Sequence, residues 1–194
     1  MLGLKLTTDP RWVNIVESNI DEILTDHAFC EQKAASNAIS LIVHYPQYSD
    51  LVEEMVKIAR EEMEHFGMVH ALIVERGAKL GKERKDDYVN QLAQFTKLAK
   101  RPQEEIFVDK LLFSAMIEAR SCERFRVLSE NIKDEKLSKF YHDLMVSEAT
   151  HYTTFIGFAR KYGQGVDVDK RWKEFLEYEA KVISNYGRSE RIHG

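Results

Sequence analysis

The chain has 194 residues, a formal net charge of −4, and 44% hydrophobic and 31% charged side chains, which suits one domain that buries its own core. No apolar run approaches the ~20 residues that a bilayer requires, no signal-peptide layout opens the chain, and Cys30 and Cys122 form neither a disulfide framework nor a Cys-x-x-Cys pair. The composition predicts a cytoplasmic protein of long amphipathic helices, too acidic for whole-surface attraction to nucleic acid.

Thr8-Asp9-Pro10 is the first helix-start signal and opens a short segment through Trp12 and Val16. A long helix is predicted from about Ser18 to His44, with an inner seam of Ile20, Leu24, His27, Glu31, Ala34, Ala38 and Leu41, and Tyr45-Pro46 ends it. Ser49-Asp50 starts a second helix with the seam Leu51, Met55, Ile58, Glu62, His65, Val69 and Leu72, and Gly77 is its expected C-cap. Residues 78–102 break this rhythm. They hold the basic run Lys79–Lys85, a short helix over Asp86–Lys100 and a closing Arg101-Pro102, together read as a long crossover. The third long helix, Gln103 to Asn131, has the seam Phe107, Leu111, Ser114, Glu118, Ser121, Phe125 and Leu128. The fourth, Asp134 to Tyr162, has Leu137, Tyr141, Leu144, Glu148, His151, Phe155 and Phe158, and stops at Gly163 and Gly165. A last helix, Asp169 to Tyr186, places Trp172, Phe175, Leu176 and Val182 against the outside of the bundle.

Two of these seams carry Glu-x-x-His, as Glu62/His65 and Glu148/His151. Three residues apart on a helix, carboxylate and imidazole share one face. With seven His among 194 residues, composition alone produces about one such match by chance, and Glu190/His193 in the polar tail is such a decoy. The other two differ from it by register, because each pair occupies two successive core positions. An ionised carboxylate there costs several kcal/mol unless it is paired or bound to a metal. Glu31 and Glu118 hold the corresponding central positions on the other two long helices. Glu31 lies 31 residues before Glu62, and Glu118 lies 30 before Glu148, whereas Glu123, the nearest rival, falls off the seam.

This pattern predicts an all-α, ferritin-like four-helix bundle with a long crossover and an extra C-terminal helix, as a single domain over residues 1–194. Its expected metal ligands are Glu31, Glu62, His65, Glu118, Glu148 and His151, a set suited to two iron or manganese ions. His27 reads first as a packing histidine, with a hydrogen bond to a ligand or direct ligation left open. Cys30 and Cys122 read as packing residues, and His44, His70 and His142 as surface or packing ones. Tyr141 and Tyr152 lie near the fourth helix's ligands without an assigned role. Ala34, Ala38, Ser114 and Ser121 either leave room beside the metals for dioxygen and an organic group or serve close helix packing. The basic residues Lys79–Lys85, Lys97, Lys100, Arg101, Lys170, Arg171, Lys173, Arg188 and Arg191 form either a solvated face or a phosphate-binding one.

Glu118-Ala119-Arg120-Ser121-Cys122-Glu123-Arg124-Phe125, Ser147-Glu148-Ala149 with His151-Tyr152, and the tail Ser189-Glu190-Arg191-Ile192-His193-Gly194 resemble one bacterial family. These are the tRNA hydroxylases that act on 2-methylthio-N6-isopentenyladenosine. The resemblance implies a non-haem di-iron monooxygenase with the same six residues as iron ligands and through them catalytic. It would use dioxygen, two electrons from a reductase and modified tRNA, and insert one oxygen atom into the isopentenyl side chain. A ferritin-like ferroxidase or peroxide-handling iron protein is the alternative, and a metal-free helical interaction module is a further one.

Overall fold

A computed structural model of the chain describes residues 2–97, 101–184 and 192. Among them the helices are α1 (Trp12–Ser18), α2 (Ile20–His44), α3 (Ser49–Glu75), α4 (Asp87–Gln94), α5 (Gln103–Asn131), α6 (Glu135–Tyr162) and α7 (Val168–Ile183), with no strand. None is long and apolar enough to cross a membrane. The chain divides into two compact units. One is Ser18–Lys85 together with Ile192, and the other takes the chain up to Glu17 and resumes at Asp86.

The first unit is a hairpin of α2 and α3. Every residue of the expected α3 seam is buried, from Leu51 to Leu72. Gly77 ends the helix in the left-handed region at φ 76°, and Ala78 N–H closes the terminus on Ile73 O at 3.1 Å. The chain after it folds back on the start of α2. Arg76 meets Asp21 at 3.2 Å, Arg84 meets Glu22 at 2.9 Å, and Gly81 N–H donates to Thr25 Oγ1 at 3.3 Å.

The α2 seam differs in two places. Ala35 is buried where Ala34 was expected, while Ala34 and Ile20 are only half-buried. A helix of 3.6 residues per turn drifts about 20° per heptad from a strict seven-residue repeat. Between Glu31 and Ala38 that drift leaves Ala35 further inward than Ala34, while Ala38 and Leu41 stay buried as expected.

The second unit is built on α5, which pairs with α6 and also meets α4 and α7. Its expected seam is buried, but so are Asp109, Arg120, Glu123 and Arg124 on its other faces. Asp109, Arg120 and Glu123 are matched by opposite charge inside the unit, and Arg124 lies over an aromatic ring. Arg120 binds Glu179 at 2.6 Å and Glu123 at 3.0 Å. Thr8 holds Glu123 through its hydroxyl at 2.6 Å and its N–H at 2.9 Å. Tyr88 O–H donates to Glu179 at 3.2 Å, and the Arg124 guanidinium lies 4.2 Å from the Trp12 ring centre. Three helices from three chain segments are thereby fixed around α5, and so is the N-terminal segment. Opposite charge makes the burial tolerable.

Asp86, Asp134 and Asp167 each cap the helix that follows, accepting from backbone N–H groups two or three residues on. On α6 the seam is buried as far as Phe155, and Phe158 is half-buried. The crossover helix is shorter than expected. It stops at Gln94 because Phe95 and Thr96 turn back on Leu92 and Ala93, and Phe95 lodges against Tyr178 and Phe175 with ring centres 4.7 and 4.9 Å away. Leu98, Ala99 and Lys100, and Tyr186 beyond α7, lie outside the described residues, as do Arg188, Arg191 and the Glu190/His193 pair. Ile192 is buried, and its N–H donates to Asp26 Oδ2 at 2.9 Å.

Candidate metal centre

Each unit carries a triad of two carboxylates and one imidazole. In the first unit α2 supplies Glu31, and α3 supplies Glu62 and His65, with ligand atoms within 4.8 Å of one another. His65 Nδ1 lies 3.5 Å from Glu62 Oε2 and 3.7 Å from Glu31 Oε2. The helical repeat explains the pair, since i and i+3 fall on one face, and the hairpin brings Glu31 across to it. None of the three is more than 7% exposed.

Electrostatics in this triad favour a cation. Burial alone would raise the Glu31 carboxyl, but a hydrogen bond from His27, with His65 and Glu62 adding to it, holds it below the usual carboxylate range. Burial would lower the His65 imidazole, yet Glu31 and Glu62 push it up to about 10. The two carboxylates therefore draw positive charge onto His65, the imidazole of the triad. A divalent metal would supply that charge and displace the proton.

In the second unit α5 supplies Glu118, and α6 supplies Glu148 and His151. Their ligand atoms also lie within 4.8 Å of one another, and all three are buried. Glu123, by contrast, is engaged by Thr8 and Arg120 on another side of α5. The sequence pattern placed Glu118 on the inner seam and Glu123 off it, but gave no sign that Glu123 is buried. Its signal, legible only in retrospect, is the Arg120/Glu123 spacing of three on one helix.

His27 is fully buried with Nε2 2.5 Å from Glu31 Oε1, a contact that seam counting could only allow. His44, His70 and His142 are exposed. Cys30 is half-buried, while Cys122 is buried and donates to Met145 O at 3.4 Å. Its thiol is pushed up to about 11 by burial and by the Glu123 charge. Ala38, Ser114 and Ser121 are buried, and the Ser114 hydroxyl turns back to Lys110 O at 3.0 Å. Tyr141 is buried against Phe125, and Tyr152 packs near Trp172.

The basic crossover is partly neutralised. Lys79, Lys82 and Arg84 line a groove of about 310 Å³ with Asp21, Glu22 and Thr25. Arg84 is tied to Glu22, and Lys33 to Glu83 at 3.0 Å. In the second unit Arg101 and Arg171 both clamp the buried Asp109, at 2.7 Å each. They line a groove of about 370 Å³ that also holds Lys170 and several acids.

A protein of Synechococcus described as having aldehyde deformylating oxygenase activity has a solved structure that matches with a TM-score of 0.88. It is 31% identical, and the match covers 98% of this chain and 95% of that one. The all-α ferritin-like fold is thus established for the chain. Two curated proteins are similar as well, both named tRNA 2-(methylsulfanyl)-N(6)-isopentenyladenosine(37) hydroxylase. The protein of Pseudomonas putida KT2440 is 36% identical over 96% of this chain and 89% of its own length. That of Salmonella typhimurium LT2 is 30% identical over 90% of this chain and 80% of its own. The family model described as tRNA-(MS[2]IO[6]A)-hydroxylase (MiaE) matches residues 2–194. With both triads lying inside that match, the chain belongs to the MiaE family of tRNA hydroxylases.

Proposed function

We propose that the chain, acting as one domain over residues 1–194, hydroxylates the isopentenyl side chain of 2-methylthio-N6-isopentenyladenosine in tRNA. The observation that carries this reading is the pair of buried Glu/Glu-x-x-His triads in a chain of this family. Glu31, Glu62, His65, Glu118, Glu148 and His151 would hold two iron ions. Four carboxylates and two imidazoles are donors suited to iron or manganese, and four negative charges balance two divalent cations. When bound, the metals supply the dioxygen chemistry that no side chain can.

The chain's own contribution is positional. In each unit a pair of long helices supplies the triad's side chains, all of them buried, and burial strengthens every charge interaction there. Ala38, Ser114 and Ser121 place small side chains within two turns of Glu31 and Glu118. A thin aliphatic group meets less obstruction beside such residues than beside Leu or Phe. The reading further requires dioxygen, modified tRNA and an electron-donating reductase in the cytoplasm.

The test combines the reduced, iron-loaded protein with ¹⁸O₂ and tRNA bearing the isopentenyl group, followed by digestion and mass spectrometry. The nucleoside should gain one oxygen, about 16 mass units for ¹⁶O and about 18 for the label, taken from the gas and not from water. Unchanged nucleoside from a fully loaded, reducible protein would sink the hydroxylase reading and favour a ferroxidase.

A further inference from the structure

We infer that His27 is a positioning residue that fixes how Glu31 presents its carboxylate to a metal, an inference that rests on the metal-binding reading above. His27 lies one helical turn before Glu31 on α2, fully buried, with Nε2 2.5 Å from Oε1. Carboxylate oxygens only accept hydrogen bonds, so Nε2 carries the proton and donates it. The other oxygen, Oε2, faces the Glu-x-x-His pair of α3, at 3.7 Å from His65 Nδ1. The two oxygens of Glu31 therefore have separate partners. Rotation about the last side-chain bond of a glutamate is broad and soft, so without a partner the carboxylate would sample both one-oxygen and two-oxygen presentations. His27 engages Oε1 and leaves Oε2 directed at the site.

The geometry also separates this role from two neighbouring ones. A histidine that merely fills core space needs no contact with a ligand. One that bound the metal through Nε2 would need its lone pair there, where this contact places the proton. Partners that hydrogen-bond to metal ligands are worth about 10- to 100-fold in metal affinity.

The test is titration of the metal-free protein with Co(II), following the visible absorption bands, together with thermal melts of each variant. His27→Leu should weaken Co(II) binding by about 10- to 100-fold, and His27→Gln, which retains an N–H donor, should recover most of it. Acting through Glu31, the effect of His27→Leu should vanish in a Glu31→Ala background. If His27→Leu does not fold, His27→Asn, too short to reach Oε1, takes its place. Unchanged affinity in the folded apolar or short variant overturns the inference while leaving the metal site intact. Equal loss in His27→Leu and His27→Gln, with an altered cobalt spectrum, would make His27 a ligand and overturn the positioning role. Absence of Co(II) and Fe(II) binding by the unaltered protein would overturn both readings together.

Discussion

Glu118 and Glu123 sit five residues apart on one helix and are both buried, yet their surroundings assign them opposite roles. Glu118 lies among Glu148 and His151 with no arginine in the triad, whereas Glu123 is matched by Arg120 and Thr8. Replacing each by alanine should therefore separate metal binding from stability. Glu118→Ala, like Glu31→Ala and His151→Ala, should lower iron content, measured by elemental analysis, with a small change in the melting temperature of the metal-free protein. Glu123→Ala leaves Arg120 and Thr8 short of a buried partner, and should cost about 3–5 kcal/mol of stability while iron content in the folded fraction holds. Iron loss on Glu123→Ala without iron loss on Glu118→Ala would invert the assignment of α5. Spacing singled out Glu118 because it interrupts an apolar seam. It missed the Arg120–Glu179 pair because its partners are 59 residues apart, and nothing local in a sequence signals such a distance.

At the scale of the elements, legibility followed how each helix is covered. One face of α3 is buried, so its 4-3 step was readable residue by residue. Burial on most sides of α5 makes its apolar stripe too broad to define a single face, although the seam still located Glu118. The crossover was hardest to read, because its shape comes from contacts to other segments such as Arg84 to Glu22 and Phe95 to Tyr178. Those contacts also revise where tRNA phosphates would be met. Arg84 is held by an acid, which moves the expected contact to Lys79 and Lys82 along the same groove. Replacing both lysines with alanine should weaken tRNA binding and flatten its salt dependence by about two units of log–log slope, since each phosphate contact contributes about 0.9. Iron content should be unaffected. Filter-binding titrations at several salt concentrations measure this, and an unchanged slope would move the footprint to another surface, with Lys170 the next position to replace.

For the whole molecule, the two compact units pose the question of cooperativity. Glu31, Glu62 and His65 belong to one unit, and Glu118, Glu148 and His151 to the other. Under the proposed function all six serve one centre, so metal must link the stabilities of both. A ligand that binds only the folded state adds RT ln(1 + [L]/Kd), about 2.7 kcal/mol at a hundredfold excess over Kd. For a chain of this size that corresponds to a rise of about 5–10 °C in melting temperature. Iron(II) or Co(II) added anaerobically should produce that rise in a single transition, followed by helical circular dichroism and by calorimetry. His65→Ala and His151→Ala, one from each unit, should each abolish most of the rise. The comparison between the two variants is the decisive part. If His65→Ala removes the effect while His151→Ala leaves it whole, or the reverse, then one triad binds metal alone and the shared centre is wrong. Equal dependence on both histidines, with one transition throughout, is what a di-metal centre held jointly by the two units requires, because neither unit can then unfold without releasing the metal that stabilises the other.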